Sequence, residues 1–181
     1  ALLNHVSAYC RQTCYVVHRL DMETSGAVLF AKNPFILPIL NRLLEDKMIQ
    51  RQYWALTEGK FQTKKTVYKD KIGRDRHDRR KRVVDPRKGQ SAYTTVTRLK
   101  TFEGASLVNC QLKTGRTHQI RVHLSHHGHA ILGDPLYSHQ PASRLMLHAH
   151  SLSFTHPLTL EKVTVKVKSE SFEQVLRNHK S

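Results

Sequence analysis

The sequence predicts an α+β domain, and three observations carry that reading. Short segments with period-two alternation and β-branched residues recur along the chain. Three other stretches place apolar residues at helical spacing, and no linker, repeat or low-complexity tract divides the 181 residues. One domain, residues 1–181, is the expectation; 39% apolar residues suffice for an ordinary core.

Charge narrows the partners. Thirty Lys and Arg against fourteen Asp and Glu leave a formal charge of +16 and a pI near 10.1. Such an excess concentrates polyanions at the surface, so nucleic acid is the expected partner. No apolar run approaches a membrane span, no basic-then-apolar leader opens the chain, and no lysine-rich amphipathic helix offers itself to a lipid surface. Cys10, Cys14 and Cys110 lack Cys-x-x-Cys spacing, which points to reduced thiols rather than a disulfide framework or a zinc knuckle. A soluble, cytoplasmic monomer is expected.

The elements follow in order. Residues 1–14 carry little pattern. Tyr15-Val16-Val17 reads as the end of a buried strand and Gly26 to Phe30 as the next, so Asp21 falls in the loop between them, with Arg19 close enough to share a pocket. Thr24 and Ser25 are placed to bond the loop backbone, and Gly26 to take positive φ. Leu40, Leu43, Leu44 and Met48 predict an amphipathic helix starting at Pro38, a residue suited to the first turn. A strand through Tyr53-Trp54-Ala55-Leu56 leaves that helix. Residues 60–88 then hold thirteen Lys or Arg, and their centre, Arg74 to Arg82, lacks any hydrophobic period. That centre reads as a solvated loop or hairpin tip, with Arg74, Arg79 and Arg80 available to phosphates.

Strands are predicted over 89–97 and 105–112, the first alternating and β-branched. A helix capped by Thr117 follows, with Ile120 and Leu124 on one face and Gly128 at its end. Arg121 lies among apolar neighbours there and needs an anion. His118, His123, His126, His127 and His129 crowd twelve residues, but neither a nearby carboxylate nor a His-Glu-x-x-His run accompanies them, so no metal is expected. Strands at 145–149 and 163–167 and a closing helix at 171–179 complete the chain.

Three of these stretches occur together in a known family. His18-Arg19-Leu20-Asp21 followed by Thr24-Ser25-Gly26, then Arg51-Gln52-Tyr53-Trp54-Ala55, then Gly115-Arg116-Thr117-His118-Gln119-Ile120-Arg121 resemble, in order, the signatures of the RluA-type RNA pseudouridine synthases, in their ribosomal large-subunit branch. Ile72-Gly73-Arg74-Asp75 and Gly133-Asp134-Pro135-Leu136-Tyr137 resemble further segments of that family. The resemblance implies a mixed, mainly antiparallel sheet with flanking helices, and isomerisation of uridine to pseudouridine in structured RNA without a cofactor. Ribosomal RNA is the implied substrate, with transfer RNA the alternative. It assigns Asp21 as the catalytic residue, Arg121 as its ion-pair partner and Tyr53 as the ring that stacks on the base. Arg19 would fill the gap left by the extruded nucleotide. His18, Thr24, Arg116, His118 and Gln119 would line the RNA site with Arg74, Arg79 and Arg80.

Family members also carry chain before the catalytic loop, including a strand with a Lys-Pro-x-Gly stretch, and many add an RNA-binding domain of the S4 type. Neither stands in this sequence, so the first strands of the sheet are expected to be missing. The alternative reading is a catalytically inactive RNA-binding or ribosome-assembly protein on the same scaffold.

Overall fold

The computed structural model describes residues 1–181, and its architecture is a seven-stranded sheet with helices packed about it. The elements run α1 (Leu2–Cys10), β1 (Tyr15–Val16), β2 (Ser25–Gly26), β3 (Phe30–Ala31), α2 (Leu37–Glu45), β4 (Gln50–Glu58), β5 (Lys65–Tyr68), β6 (Ile72–Arg74), β7 (Arg82–Val84), β8 (Thr94–Phe102), β9 (Ala105–Leu112), α3 (Gln119–His126), β10 (Leu147–Thr155), β11 (Lys162–Lys166) and α4 (Glu170–Asn178). The main path is β11-β10-β4-β9-β8-β5, with β2 added beside β10; β1 with β3 and β6 with β7 form separate two-stranded ribbons. Only the β2–β10 pairing is parallel, so the sheet is mixed and mainly antiparallel, as expected. No helix is long and apolar enough to cross a membrane.

The core lies where the sheet meets its helices. Ile120 and Leu124 of α3 and Phe172 of α4 pack with Tyr53, Ala55, Leu56, Val108 and Cys110 of the central strands. A smaller cluster joins Leu40 of α2 to Val17, Ala31, Ile49, Leu152 and Phe154. Ala55, Leu56 and Val108 are wholly buried, the pattern of a sheet covered on both faces.

Several boundaries differ from the sequence expectation, each for a local reason. Within residues 1–14, which showed no pattern, Leu2–Cys10 form α1. The apolar run from Gly26 to Phe30 is not one strand: Gly26 pairs with Ala149, while Phe30 pairs with Val16 in another ribbon. The chain therefore crosses between two sheets within four residues. Met48 is exposed and lies beyond α2, because Lys47 takes a left-handed conformation (φ 60) that ends the helical turn. The strand expected from Gly89 begins only at Thr94. Before it, the carbonyls of Ser91 and Tyr93 accept hydrogen bonds from Arg116 Nε (2.8 Å) and Gln119 Nε2 (2.9 Å). The Tyr93 carbonyl also accepts the Lys113 N–H (3.3 Å) and Gln90 bridges to Ile72, so scattered bonds hold this segment in place of a continuous ladder.

One register aligns the site. Across the sheet, Gly26 is paired with Ala149 and Ala149 with Tyr53. This juxtaposition requires glycine at position 26: its φ is +128, and a Cβ there would lie 2.3 Å from the Ala149 carbonyl oxygen. The loop bearing Asp21 is thereby fastened one strand away from Tyr53.

Candidate active site

Asp21, Tyr53 and Arg121 meet in one cleft of about 1200 Å³, which Arg19, Thr24, Arg51, Arg80, Arg116 and His118 also line. Asp21 sits at the start of a turn closed by the Thr24 N–H donating to its carbonyl (2.9 Å). Its side chain is 29% exposed, open enough to meet a substrate.

Arg121 rises from α3 into the floor of the cleft, 2% exposed. Its Nη1 donates to Asp21 Oδ2 at 3.1 Å, while Nε and Nη2 grip both oxygens of Asp134 at 2.8 and 2.7 Å. Asp134, whose side chain is wholly buried, also accepts from the N–H groups of Leu136 and Tyr137. Burial alone would pull the guanidinium's pKa down. The hydrogen bonds and charge of Asp134, joined by those of Asp21, raise it instead, so Arg121 stays cationic. The planar fork is fixed from behind by Asp134 and presents its remaining edge to Asp21.

His118 stands beside this pair, its Nε2 4.0 Å from Asp21 Oδ2 and its Nδ1 2.8 Å from the Tyr137 hydroxyl. The Arg82 N–H donates to that hydroxyl at 2.7 Å. Donation from the Tyr137 hydroxyl to Nδ1 then leaves Nε2–H facing Asp21. Desolvation, followed by the charge of Arg121, lowers the His118 pKa and favours neutral imidazole. His118 (φ 56), not Thr117, occupies the N-cap position of α3, and no side chain caps it. The expectation for Thr117 is corrected accordingly.

Tyr53 is 6% exposed, and burial raises the pKa of its phenol, so the ring enters the cleft neutral. That suits a stacking surface better than a resident phenolate. Arg51, two residues before it on β4, also faces the cleft and packs its guanidinium 3.2 Å from where a Cβ on Gly115 would lie. A side chain at position 115 would therefore crowd the Arg51 guanidinium.

Other expected site residues separate into those the cleft uses and those the fold consumes. Arg19 is exposed on the rim. Arg80 lines the cleft but is paired with Asp78 at 2.8 Å. Arg116 lies between the cleft and a smaller pocket that Arg74 also lines, whereas Arg79 borders neither. Gln119 is buried with its amide fully engaged: Oε1 accepts from Thr114 Oγ1 and the Arg116 N–H, and Nε2 donates to the Tyr93 carbonyl and Thr94 Oγ1. That corrects its reading as an RNA contact, because none of its polar atoms is left over.

Thr24 Oγ1 is buried without a partner, and Ser25 Oγ bonds His148 Nδ1 and Arg144 Nη2 rather than its own loop. The expected side-chain bonds to the loop backbone are therefore absent.

His18 also turns inward, its Nε2 accepting the Leu29 N–H at 3.0 Å. Burial, with a smaller contribution from the Arg51 charge, pulls its pKa to about 4. The folded state thus refuses a proton that the unfolded chain accepts near pH 6.5. This contribution to stability is complete above pH 6.5 and is lost as pH falls toward 4, amounting to about 3 kcal/mol at 1.36 kcal/mol per pKa unit. Urea unfolding across that range is expected to show the loss, reduced in His18→Gln; a wild-type stability flat in pH would contradict the assignment.

The histidine cluster requires a further correction. A carboxylate does reach it: Asp70 Oδ2 lies 2.6 Å from His127 Nε2, and the Asp70 carbonyl lies 2.8 Å from His123 Nε2. The ligand atoms of Asp70, His126 and His127 fall within 4.8 Å of one another. His127 is held there by its stack on Tyr68 (centroids 4.0 Å apart) and its bond to Asp70.

Sequence reasoning missed two residues that build the site: Arg51, which lines the cleft, and Asp134, which holds Arg121 from behind it. The Gly-Asp-Pro turn and the basic-x-Tyr pattern were the available signals. Neither says which partner the side chain reaches.

Comparison with known proteins agrees with this geometry. A family described as RNA pseudouridylate synthase matches residues 4–126. The chain is 45% identical over 161 residues to the uncharacterized RNA pseudouridine synthase YhcT of Bacillus subtilis (strain 168), covering 86% of this chain and 53% of that protein. It is 37% identical over 191 residues to ribosomal large subunit pseudouridine synthase D of Neisseria meningitidis serogroup A, covering 90% and 48%. The chain thus spans about half the length of these curated relatives. Among solved structures, human RNA pseudouridylate synthase domain containing 1 superposes with a TM-score of 0.80 at 28% identity, over 92% of this chain and 74% of that one. From the ordered motifs, the fold that joins them and these matches, the chain belongs to the RNA pseudouridylate synthase family.

Proposed function

We propose that this chain is the catalytic part of an RNA pseudouridine synthase that isomerises uridine in structured RNA, with ribosomal RNA as the substrate class. The observation that carries the proposal is the contact of Arg121 Nη1 with Asp21 Oδ2, 3.1 Å apart in a cleft that Tyr53 also lines.

The reaction breaks the bond from ribose carbon one to base nitrogen one, turns the base and rejoins it through ring carbon five. The proton on that carbon is released and nitrogen one gains one, so atoms balance with neither redox change nor cofactor. Asp21 serves as nucleophile at the anomeric carbon or as base at the neighbouring ribose carbon. Arg121 directs its carboxylate, and the neutral ring of Tyr53 stacks on the base. A paired uridine has to leave its stack to reach the floor of the cleft, and Arg19 on the rim is positioned to enter the gap. The +16 charge supplies affinity for the polyanion without reading its sequence.

Mapping pseudouridines in total RNA from cells with and without the gene tests this reading. At least one ribosomal uridine is expected to lose its modification with the gene and regain it on incubation with purified protein. RNA binding without any pseudouridine formed would select the inactive RNA-binding alternative.

A further inference from the structure

Beside the cleft lies a second concavity of about 330 Å³ whose lining includes Arg74, Arg82, Lys88, Gln90, Arg116 and Thr117. Its cations come from four places in the chain: the two strands of the β6–β7 ribbon, the turn after it and the loop before α3. None of the four is ion-paired; the molecule's arginine pairs engage Arg42, Arg80, Arg121 and Arg177. The acids nearest in sequence to these cations, Asp75 and Asp85, are both turned to the backbone: Asp75 Oδ1 accepts the His77 and Asp78 N–H groups at 2.7 and 3.0 Å, and Asp85 Oδ1 the Arg87 and Lys88 N–H groups at 3.1 and 3.0 Å. Two of the guanidiniums are tethered by carbonyls, Arg82 Nη1 to Lys81 (3.2 Å) and Arg116 Nε to Ser91 (2.8 Å), which leaves their other donors free. Like charges gathered in a concavity repel one another unless an anion joins them.

We infer that this pocket is a discrete binding site for one backbone phosphate of the RNA, separate from the diffuse attraction of the basic surface. The inference rests on the RNA reading above. Arg116 and Thr117 belong to the pocket and to the cleft at once. Two residues of chain span at most about 7 Å, so Arg116 and His118, the neighbour of Asp21, are close along the backbone. A phosphate seated here fixes the strand beside the nucleotide that enters the cleft. The pocket is a positioning site, since three of its four cations, Arg74, Arg82 and Lys88, stand outside the cleft that takes the uridine. Its ribbon is braced from the same side, the Arg82 N–H being held by the Tyr137 hydroxyl that also contacts His118.

The test is equilibrium binding of a structured ribosomal RNA fragment to the full-length protein, measured against salt. The protein is compared with Arg82→Gln/Lys88→Gln and with a control of equal charge, Lys162→Gln/Lys166→Gln, on the exposed edge strand β11. The pocket variant is expected to bind about tenfold more weakly at physiological salt and to lower the log–log salt slope by about one. The control is expected to lose less than about threefold. Equal losses in the two variants would overturn the inference, showing a general field in place of a site. Inorganic phosphate alone separates the sources of the anion: competition only above millimolar concentration supports a phosphate held as part of RNA, whereas saturation at micromolar concentration in wild type would assign the pocket to a free anion. The readout is binding, so it is independent of whether uridine is isomerised. Failure here with pseudouridine still formed would remove the pocket and keep the activity.

Discussion

Asp134→Ala is expected to destabilise the protein by about 3–5 kcal/mol, the usual cost of removing one partner from a buried ion pair. Arg121 would remain 2% exposed with two of its donors emptied, and its attraction to Asp21 alone cannot replace a bidentate contact. The same substitution deletes the acceptor for the Leu136 and Tyr137 N–H groups, loosening the turn that carries the hydroxyl beside His118. Asp134→Asn keeps the volume and one carbonyl oxygen but sets an amide N–H against a guanidinium donor, so an intermediate loss is expected. Urea denaturation reads both: a lower midpoint with unchanged slope is the expected result for the alanine variant, and an unchanged midpoint would contradict the buried fork. Turnover should fall along with stability, because a freed Arg121 no longer aims at Asp21.

This dependence on Asp134 marks the limit of what the sequence revealed. Arg121 among apolar neighbours signalled a buried cation in need of an anion, and the ordered motifs named Asp21 as that anion. A buried guanidinium has five N–H donors, however, and a partly exposed carboxylate that must also face substrate cannot saturate them. The second acid comes from a turn thirteen residues beyond Arg121, noticed as a turn but not as a partner. Gln119 erred in the opposite direction. It sits in a recognisable motif and is polar, yet its amide is spent within the fold, on the Arg116 N–H, the Tyr93 carbonyl and the hydroxyls of Thr114 and Thr94.

Other misses have the same origin in long-range pairing. Gly26 to Phe30 reads as one strand because local propensity cannot register that its ends pair with Ala149 and Val16 in different sheets. Asp70 reaches His127 across 57 residues of sequence. By contrast, the strands 53–56 and 105–112 and the start of α2 near Pro38 were legible, since periodicity and proline geometry are local. The tripartite arrangement of Asp21, Tyr53 and Arg121 was legible only through motif order. The strand register Gly26–Ala149–Tyr53 supplies its physical cause.

The central claim is that the Asp21 carboxylate performs the chemistry. Its most direct test is tritium release from ribosomal RNA labelled at uridine carbon five, comparing Asp21→Asn with the wild-type full-length protein. Asparagine preserves the side chain's size and an acceptor for Arg121, so folding and RNA binding should persist. It can neither attack the anomeric carbon effectively nor take a proton. A base contributes about 10²–10⁴-fold and a nucleophile more, so turnover is expected to fall at least about 10³-fold with affinity for RNA little changed. Release at the wild-type rate from the asparagine variant would contradict the account.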